Sequence, residues 1–167
     1  MELEKKINEI IHNYNLGNFL KAESLAKSLL TKNGKDYQLC NINGLILLKL
    51  NKTEGAIRYF QKSIHTKADF FDAHFNLLQL FYDLKKYDKA ILQSKECLKI
   101  NSGSVDTLIL LGNIYSKLNQ EKESEKYFRK ILKINSENSD TAVFISVCFK
   151  TPCSDSNNRL STTINVN

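Results

Sequence analysis

Side chains able to do chemistry are few in this sequence, and they are scattered. Four cysteines, Cys40, Cys97, Cys148 and Cys153, are the candidates for disulfides or zinc. A structural zinc site needs two close pairs of thiolates or imidazoles. Cys148 and Cys153 lie five residues apart near the end, with no second pair and no nearby histidine. Cys40 and Cys97 fall on packing positions, where cysteine behaves as a small hydrophobe. His12, His65 and His74 share no spacing, and His74 sits at a helical core position, so it reads as a packed side chain. There is no glycine-rich phosphate loop, nucleophile elbow or paired-histidine motif. The expectation is no catalytic residue, no metal site and no cofactor: a non-enzyme.

Charge excludes little by itself. The 167 residues carry 24 Lys+Arg against 18 Asp+Glu, a net charge of +6. Only Arg58, Arg129 and Arg159 are arginine. Lys21, Lys62, Lys89, Lys95, Lys126 and Lys130 recur on one kind of segment and read as a solvated face. RNA recognition calls for aromatic stacking platforms among the basic groups, which the pattern lacks, so no nucleic acid partner is expected. The longest apolar stretch, Leu45 to Leu48, stops at Lys49, far short of the roughly 20 residues that cross a bilayer. Met1 to Lys6 carries acids and no apolar run. No signal peptide and no membrane association are expected, and the cytoplasm is the expected compartment.

The elements that must position these residues follow from a fixed period. Leu16, Leu50, Leu84 and Leu118 recur at a constant spacing of 34. Ala22, Ala56 and Ala90 keep that spacing, with Ser124 in the fourth place, and so do Leu30, Ile64, Leu98 and Leu132. Gly44 and Gly112 lie two periods apart, as do Phe60 and Phe128, while Ile10 and Leu78 take the places equivalent to the glycines. No insertion is needed. A hydrophobic fraction of 42% and a charged fraction of 25% are those of a folded soluble chain. One proline and six glycines favour long helices with short connections.

Within a unit the apolar stripe is helical. Leu77, Leu80, Phe81 and Leu84 recur at three- and four-residue steps, and after Lys85-Lys86 the pattern restarts with Tyr87, Ala90, Ile91, Ser94, Cys97 and Leu98. Two such helices with a short break make an antiparallel hairpin. Asp36, Asp69, Ser104 and Ser139 stand at or beside first-helix starts as caps. The alanine series marks where the second helix crosses the first closely, and the two glycines do the same on the first helix. A lone hairpin cannot bury both faces, so neighbours must stack.

This period, with small residues at Gly44, Gly112, Ala22, Ala56 and Ala90 and aromatics at Phe81, Tyr115, Phe60 and Phe128, resembles the tetratricopeptide repeat. The resemblance implies an all-α fold, a right-handed α–α solenoid of four 34-residue hairpins plus a partial fifth unit. Its units are residues 3–36, 37–70, 71–104 and 105–138, with a half-unit at 139–150, giving a domain over 3–150. The family's usual aromatic near the start of each unit is replaced by Lys6, Cys40, His74 and Leu108, and its proline by Gly34, Ala68, Ser102 and Ser136.

What the resemblance implies is protein–protein interaction without catalysis, through a concave groove lined by the first helices. It assigns to that groove Gln38, Asn41, Lys49, Asp72, Phe75, Gln79, Tyr82, Asp83, Asp106, Asn113 and Lys117, with Glu4, Ile7, Ile11, Tyr14 and Asn15 as the first unit's equivalents. Amides can bond an extended backbone, and Phe75 and Tyr82 can anchor an apolar side chain. Asp72, Asp83 and Asp106 favour a peptide with a basic or neutral segment. The clamp by which some members hold acidic chaperone termini is not matched, because its places hold Ile7, Ile11, Ile42, Asp72 and Asn76, or one unit later Asn41, Leu45, Asn76, Asp106 and Leu110.

Residues 141–149 are apolar nearly all round, then Thr151-Pro152 breaks the pattern. The remainder to Asn167 is rich in serine, asparagine and threonine and is expected to be a disordered polar tail over 151–167. An apolar helix over 139–150 is a candidate for self-association. The alternative function is the repeat region, or a truncated form, of a larger sulfotransferase or glycosyltransferase.

Overall fold

The computed structural model describes residues 2–134. The expected half-unit 139–150, the tail 151–167, Cys148 and Cys153 lie outside the described residues. Those residues form eight helices and no strand: α1 (Glu2–Asn15), α2 (Phe19–Lys32), α3 (Tyr37–Lys49), α4 (Thr53–Thr66), α5 (Phe71–Asp83), α6 (Tyr87–Ile100), α7 (Val105–Lys117) and α8 (Glu121–Ile134). Second helices begin at Phe19, Thr53, Tyr87 and Glu121, so their starts keep the period of the sequence. Two of the expected caps close first helices. Asp36 Oδ1 accepts from Leu39 N at 2.8 Å, and Ser104 Oγ accepts from Thr107 N at 3.3 Å.

The leucine series marks the turn rather than the core. Leu50 and Leu118 are the C-caps of α3 and α7, and Leu16 is 62% exposed. The residue after each leucine is left-handed: Gly17 at φ 78°, Asn51 at 59°, Lys85 at 57° and Asn119 at 57°. The next residue then donates to the carbonyl five back: Asn18 to Asn13 at 2.9 Å, Lys52 to Leu47 at 2.8 Å, Lys86 to Phe81 at 2.8 Å and Gln120 to Tyr115 at 2.9 Å. This Schellman closure satisfies the orphan carbonyls of the first helix and reverses the chain. Glycine and asparagine adopt that conformation readily, whereas lysine at position 85 is strained by its Cβ.

The chain divides into two compact units, one through Ala73 and one from His74. In the first, α1 packs on α2, α2 on α3, and α3 on α4 and α1. Its core joins Ile10, Ala22, Ala26, Leu39, Cys40 and Ile46, all with 1% exposure or less. Ser63 Oγ donates to Tyr37 O at 2.7 Å, so a hydroxyl is carried into this core with its bond made. In the second unit α7 packs on α8 and α6 on α7, with Leu108, Phe128 and Ile131 buried together. Cys97 is buried there, which pushes its thiol up to about 12, and His74 is buried with Nδ1 3.0 Å from Gln93 Oε1. Cys40, Cys97 and His74 are packed side chains, as their sequence positions predict.

The small positions are as tight as their types require. Ala22, Ala56 and Ala90 are fully buried, and Ser124 Oγ donates to Gly112 O at 2.9 Å. A Cβ on Gly44 would lie 2.5 Å from the Phe60 ring, and one on Gly112 would lie 2.7 Å from Phe128. One buried group breaks the pattern. Asn43 is fully buried, and its amide N and O have no hydrogen-bond partner among the described residues. The equivalent places in later units are Leu77 and Leu111, both buried.

Two stability changes are expected. Lys85→Gly raises stability by about 1 kcal/mol by removing Cβ strain at a left-handed position. The unfolding midpoint in urea reads this, and an unchanged or lower midpoint would contradict the strain. Asn43→Leu raises stability by about 1 kcal/mol or more, because an unmade buried amide is replaced by the side chain that neighbouring units use. Loss of stability in that variant would mean the amide is satisfied in solution.

Candidate functional site

The expected binding residues come from first helices, whose N-termini the hairpin connections set. On α3, Gln38 is exposed and Lys49 half-buried, but Asn41 keeps only 7% of its surface open. α3 is packed by α1, α2 and α4 together, so less of its surface is free than the sequence suggests. The same enclosure buries Ile11 and Tyr14 on α1, where the Tyr14 ring meets Phe19 edge-on at 5.5 Å. These three positions are closed, not open as a groove lining would be. Asp72, in the first turn of α5, is exposed.

In the second unit, Gln79 lies four residues after Phe75 along α5, and Tyr82 and Asp83 lie three and four residues after Gln79, which places them on one stripe. Phe75, Gln79 and Tyr82 are half-buried and Asp83 exposed. The Tyr82 ring lies 6.2 Å from that of Tyr87. On α7, Asp106 and Lys117 are exposed and Asn113 half-buried, again on one stripe.

The carboxylates are the distinctive feature of these faces. Asp72 and Asp83 both reach solvent, yet the protein around them removes part of their hydration, and burial raises both above the usual carboxylate range. No cation among the described residues offsets that cost. The expected lysines of the second helices, Lys21, Lys62, Lys89, Lys95, Lys126 and Lys130, are all exposed. The sequence pattern did not show that Lys126 and Lys130 flank an aromatic ring. Their ammonium groups lie 5.9 and 5.5 Å from the Tyr127 centroid, and that ring is stacked on Tyr115 at 3° between planes. Tyr127 is engaged by its own neighbours.

Sequence reasoning also missed an ion pair between hairpins of the first unit. Glu23 on α2 is 6% exposed, and both its carboxylate oxygens accept from Lys52 Nζ at 2.8 Å. Lys27 Nζ lies 2.9 Å from Oε1. The hydrogen bonds from Lys52 and then Lys27 hold the Glu23 carboxyl below its ordinary value. Both residues fall on a lysine-rich background, so only the fold selects which cation meets which acid. Among the described residues, no group of three or more His, Cys, Asp or Glu side chains is placed to hold a metal ion. No described helix is long and apolar enough to cross a membrane.

The tetratricopeptide-repeat family profile matches residues 71–103 and 105–138, the third and fourth hairpins. The chain is a tetratricopeptide-repeat protein. Its described fold is the all-α solenoid of helical hairpins that the family shares, and the family consists in general of non-catalytic protein–protein interaction scaffolds. Over 106 residues the chain is 37% identical to an uncharacterised protein of Rickettsia prowazekii (strain Madrid E), covering 63% of this chain and 31% of that one. Over 107 residues it is 32% identical to Protein O-mannosyl-transferase Tmtc3 of Drosophila melanogaster, covering 64% and 12%. The chain thus spans less than a third of one curated relative and about an eighth of the other. Among solved structures, a crystal structure of MamA matches with TM-score 0.77 at 20% identity, over 83% of this chain and 81% of that one. A tetratricopeptide repeat protein from Parabacteroides merdae matches with TM-score 0.79 at 22% identity, over 89% and 59%. At these identities the likeness concerns the fold.

The Glu23 pair has a pH signature. A carboxyl depressed on folding contributes stability above its unfolded pKa and loses it as pH falls through the folded value. Because the Lys52 end of the pair is 47% exposed, solvent screens it and its contribution is about 0.5–1 kcal/mol. Glu23→Gln is therefore expected to be less stable than the parent at pH 7, with the gap closing as pH falls below about 4. Urea midpoints across pH would show this; a gap independent of pH would remove the ion pair from the account.

Proposed function

We propose that this tetratricopeptide-repeat protein is a non-catalytic scaffold that binds an extended or helical segment of a partner protein on the faces of its first helices. It works in the cytoplasm, and the surface corresponds to the concave groove that its family uses. The observation that carries the reading is the stripe of Phe75, Gln79, Tyr82 and Asp83, where half-buried aromatic rings stand beside a carboxylate that burial raises and that no cation among the described residues offsets. The rings supply apolar contact area, and the amide of Gln79 can bond a peptide backbone. A lysine or arginine of the partner would restore to Asp83 the favourable interaction that partial desolvation removes. Within the second unit Asp106, Asn113 and the alkyl stem of Lys117 on α7 carry the same chemistry, and within the first unit Gln38, Asp72 and the alkyl stem of Lys49 do so separately. Asn41 contributes to packing, given its burial.

A second reading is favoured by one observation, the 32% identity to Protein O-mannosyl-transferase Tmtc3. There the repeats form part of a larger glycosyltransferase, and these faces serve substrate recognition. The mass of the native protein in its source cells, read with an antibody to the repeats, separates the two. A band near 19.2 kDa favours the free-standing scaffold, and a much larger one favours the transferase.

Binding is tested by affinity capture from those cells, followed by measurement on synthetic segments of what is captured. Phe75→Ala/Tyr82→Ala is expected to weaken binding about tenfold or more while leaving the thermal midpoint of the second unit measurable. Asp83→Asn/Asp106→Asn is expected to weaken basic segments selectively. Equal binding by parent and variants, or a preference for acidic segments, would overturn the assignment of this face.

A further inference from the structure

Each hairpin carries a matched pair of side chains, one on each helix at a constant offset, and the order of large and small alternates along the chain. The pairs are Ile10 with Ala26, Gly44 with Phe60, Leu78 with Ser94, and Gly112 with Phe128. All eight are buried. In the second and fourth hairpins a ring on the second helix occupies the space that a glycine leaves on the first. In the first and third hairpins the first helix supplies the bulk, and the second helix carries alanine or serine. The Ser94 hydroxyl is satisfied locally, donating to Ile91 O at 2.7 Å, so it serves here as a small residue.

We infer that this alternation is a pairing code that makes each helix recognise its own hairpin partner and reject the equivalent helix of the neighbouring hairpin. A chain of near-identical units needs one. First helices α3, α5 and α7 have 13 residues each and second helices 14, with apolar stripes of the same period, so backbone and stripe alone do not distinguish them. Misassembly between similar units is the characteristic failure of repeat proteins. Each compact unit contains one hairpin of each kind, so the code is complete within each. In the first unit, setting α1 against α4 would oppose Ile10 and Phe60, two large side chains, while α3 against α2 at that crossing would oppose Gly44 and Ala26. In the second unit the exchanged crossings oppose Leu78 with Phe128 and Gly112 with Ser94. Every wrong crossing is either overfilled or hollow, and both are penalised in a close-packed interior. Specificity thus comes from mismatches as much as from fit.

The test refolds the full chain from urea and reads the fraction returning as native monomer by size-exclusion chromatography, beside equilibrium unfolding. Leu78→Gly/Ser94→Phe makes both hairpins of the second unit glycine-first. Gly112→Leu/Phe128→Ser makes both bulk-first. The four substitutions together invert the code but keep it alternating. The expected result is that each two-substitution variant gives a several-fold larger misassembled fraction than the parent, and that the four-substitution variant recovers. Failure of the two-substitution variants to fold, with the four-substitution variant folding, supports the code equally, since the same changes are tolerated only when alternation is kept. Clean refolding of the two-substitution variants overturns it. So does failure of the four-substitution variant, because the pairs are then not interchangeable modules.

Discussion

The closest approach of two helices within each hairpin governs this structure. Where Ala22, Ala56 and Ala90 are fully buried, the space between helices admits a β-carbon and little more. At the second contact along the hairpin, the Phe60 ring lies 2.5 Å from where a Gly44 Cβ would be. Close packing at that crossing sets how far each side chain farther out must reach. The helices of a hairpin are held antiparallel by the turn, in which a left-handed residue and a 2.8–2.9 Å bond to the carbonyl five back end the first helix at the same place each time. Turn and crossing together explain why the period survives from hairpin to hairpin without an insertion.

Polar groups divide into those the fold has satisfied and those it has left for something else. Glu23 is enclosed but bonded to Lys52 and Lys27, and the hydroxyls of Ser63 and Ser124 reach backbone carbonyls. These are structural bonds between helices. Asp72 and Asp83 are partly desolvated with no such compensation among the described residues, and burial raises both carboxyls, a small cost to the free protein. A scaffold fold does not specify its partner. The chemistry of these first-helix faces, rather than the repeat itself, carries the functional reading.

Much of the architecture was legible in the sequence, for a physical reason. Helix starts at Tyr37 and Val105 follow from the local caps Asp36 and Ser104 and from a 3.6-residue stripe, both encoded by near neighbours. The burial of Cys40, Cys97 and His74 follows from the same stripe. The left-handed turn residue was half legible, since Gly17, Asn51 and Asn119 are types that favour it whereas Lys85 is not. There the repeat imposes a conformation that the residue resists.

What the sequence by itself determined is whatever depends on spacing along one helix: the period, the hairpins, the small residues at crossings and the exposed lysines of the second helices. Only the tertiary structure decided which side chains meet across helices. Gly44, Gly112, Phe60 and Phe128 were visible as a two-period pattern, but the complementary roles of Ala26 and Ser94 emerge only when all eight residues are found buried. Asn41 matches an open groove position by register, yet α1, α2 and α4 close around α3 and bury it. Lys52 is one lysine among many until the fold brings its ammonium within 2.8 Å of Glu23. Periodicity is a property of the single helix, whereas enclosure and ion pairing depend on distances between helices, and those are set by the side chains at the crossing.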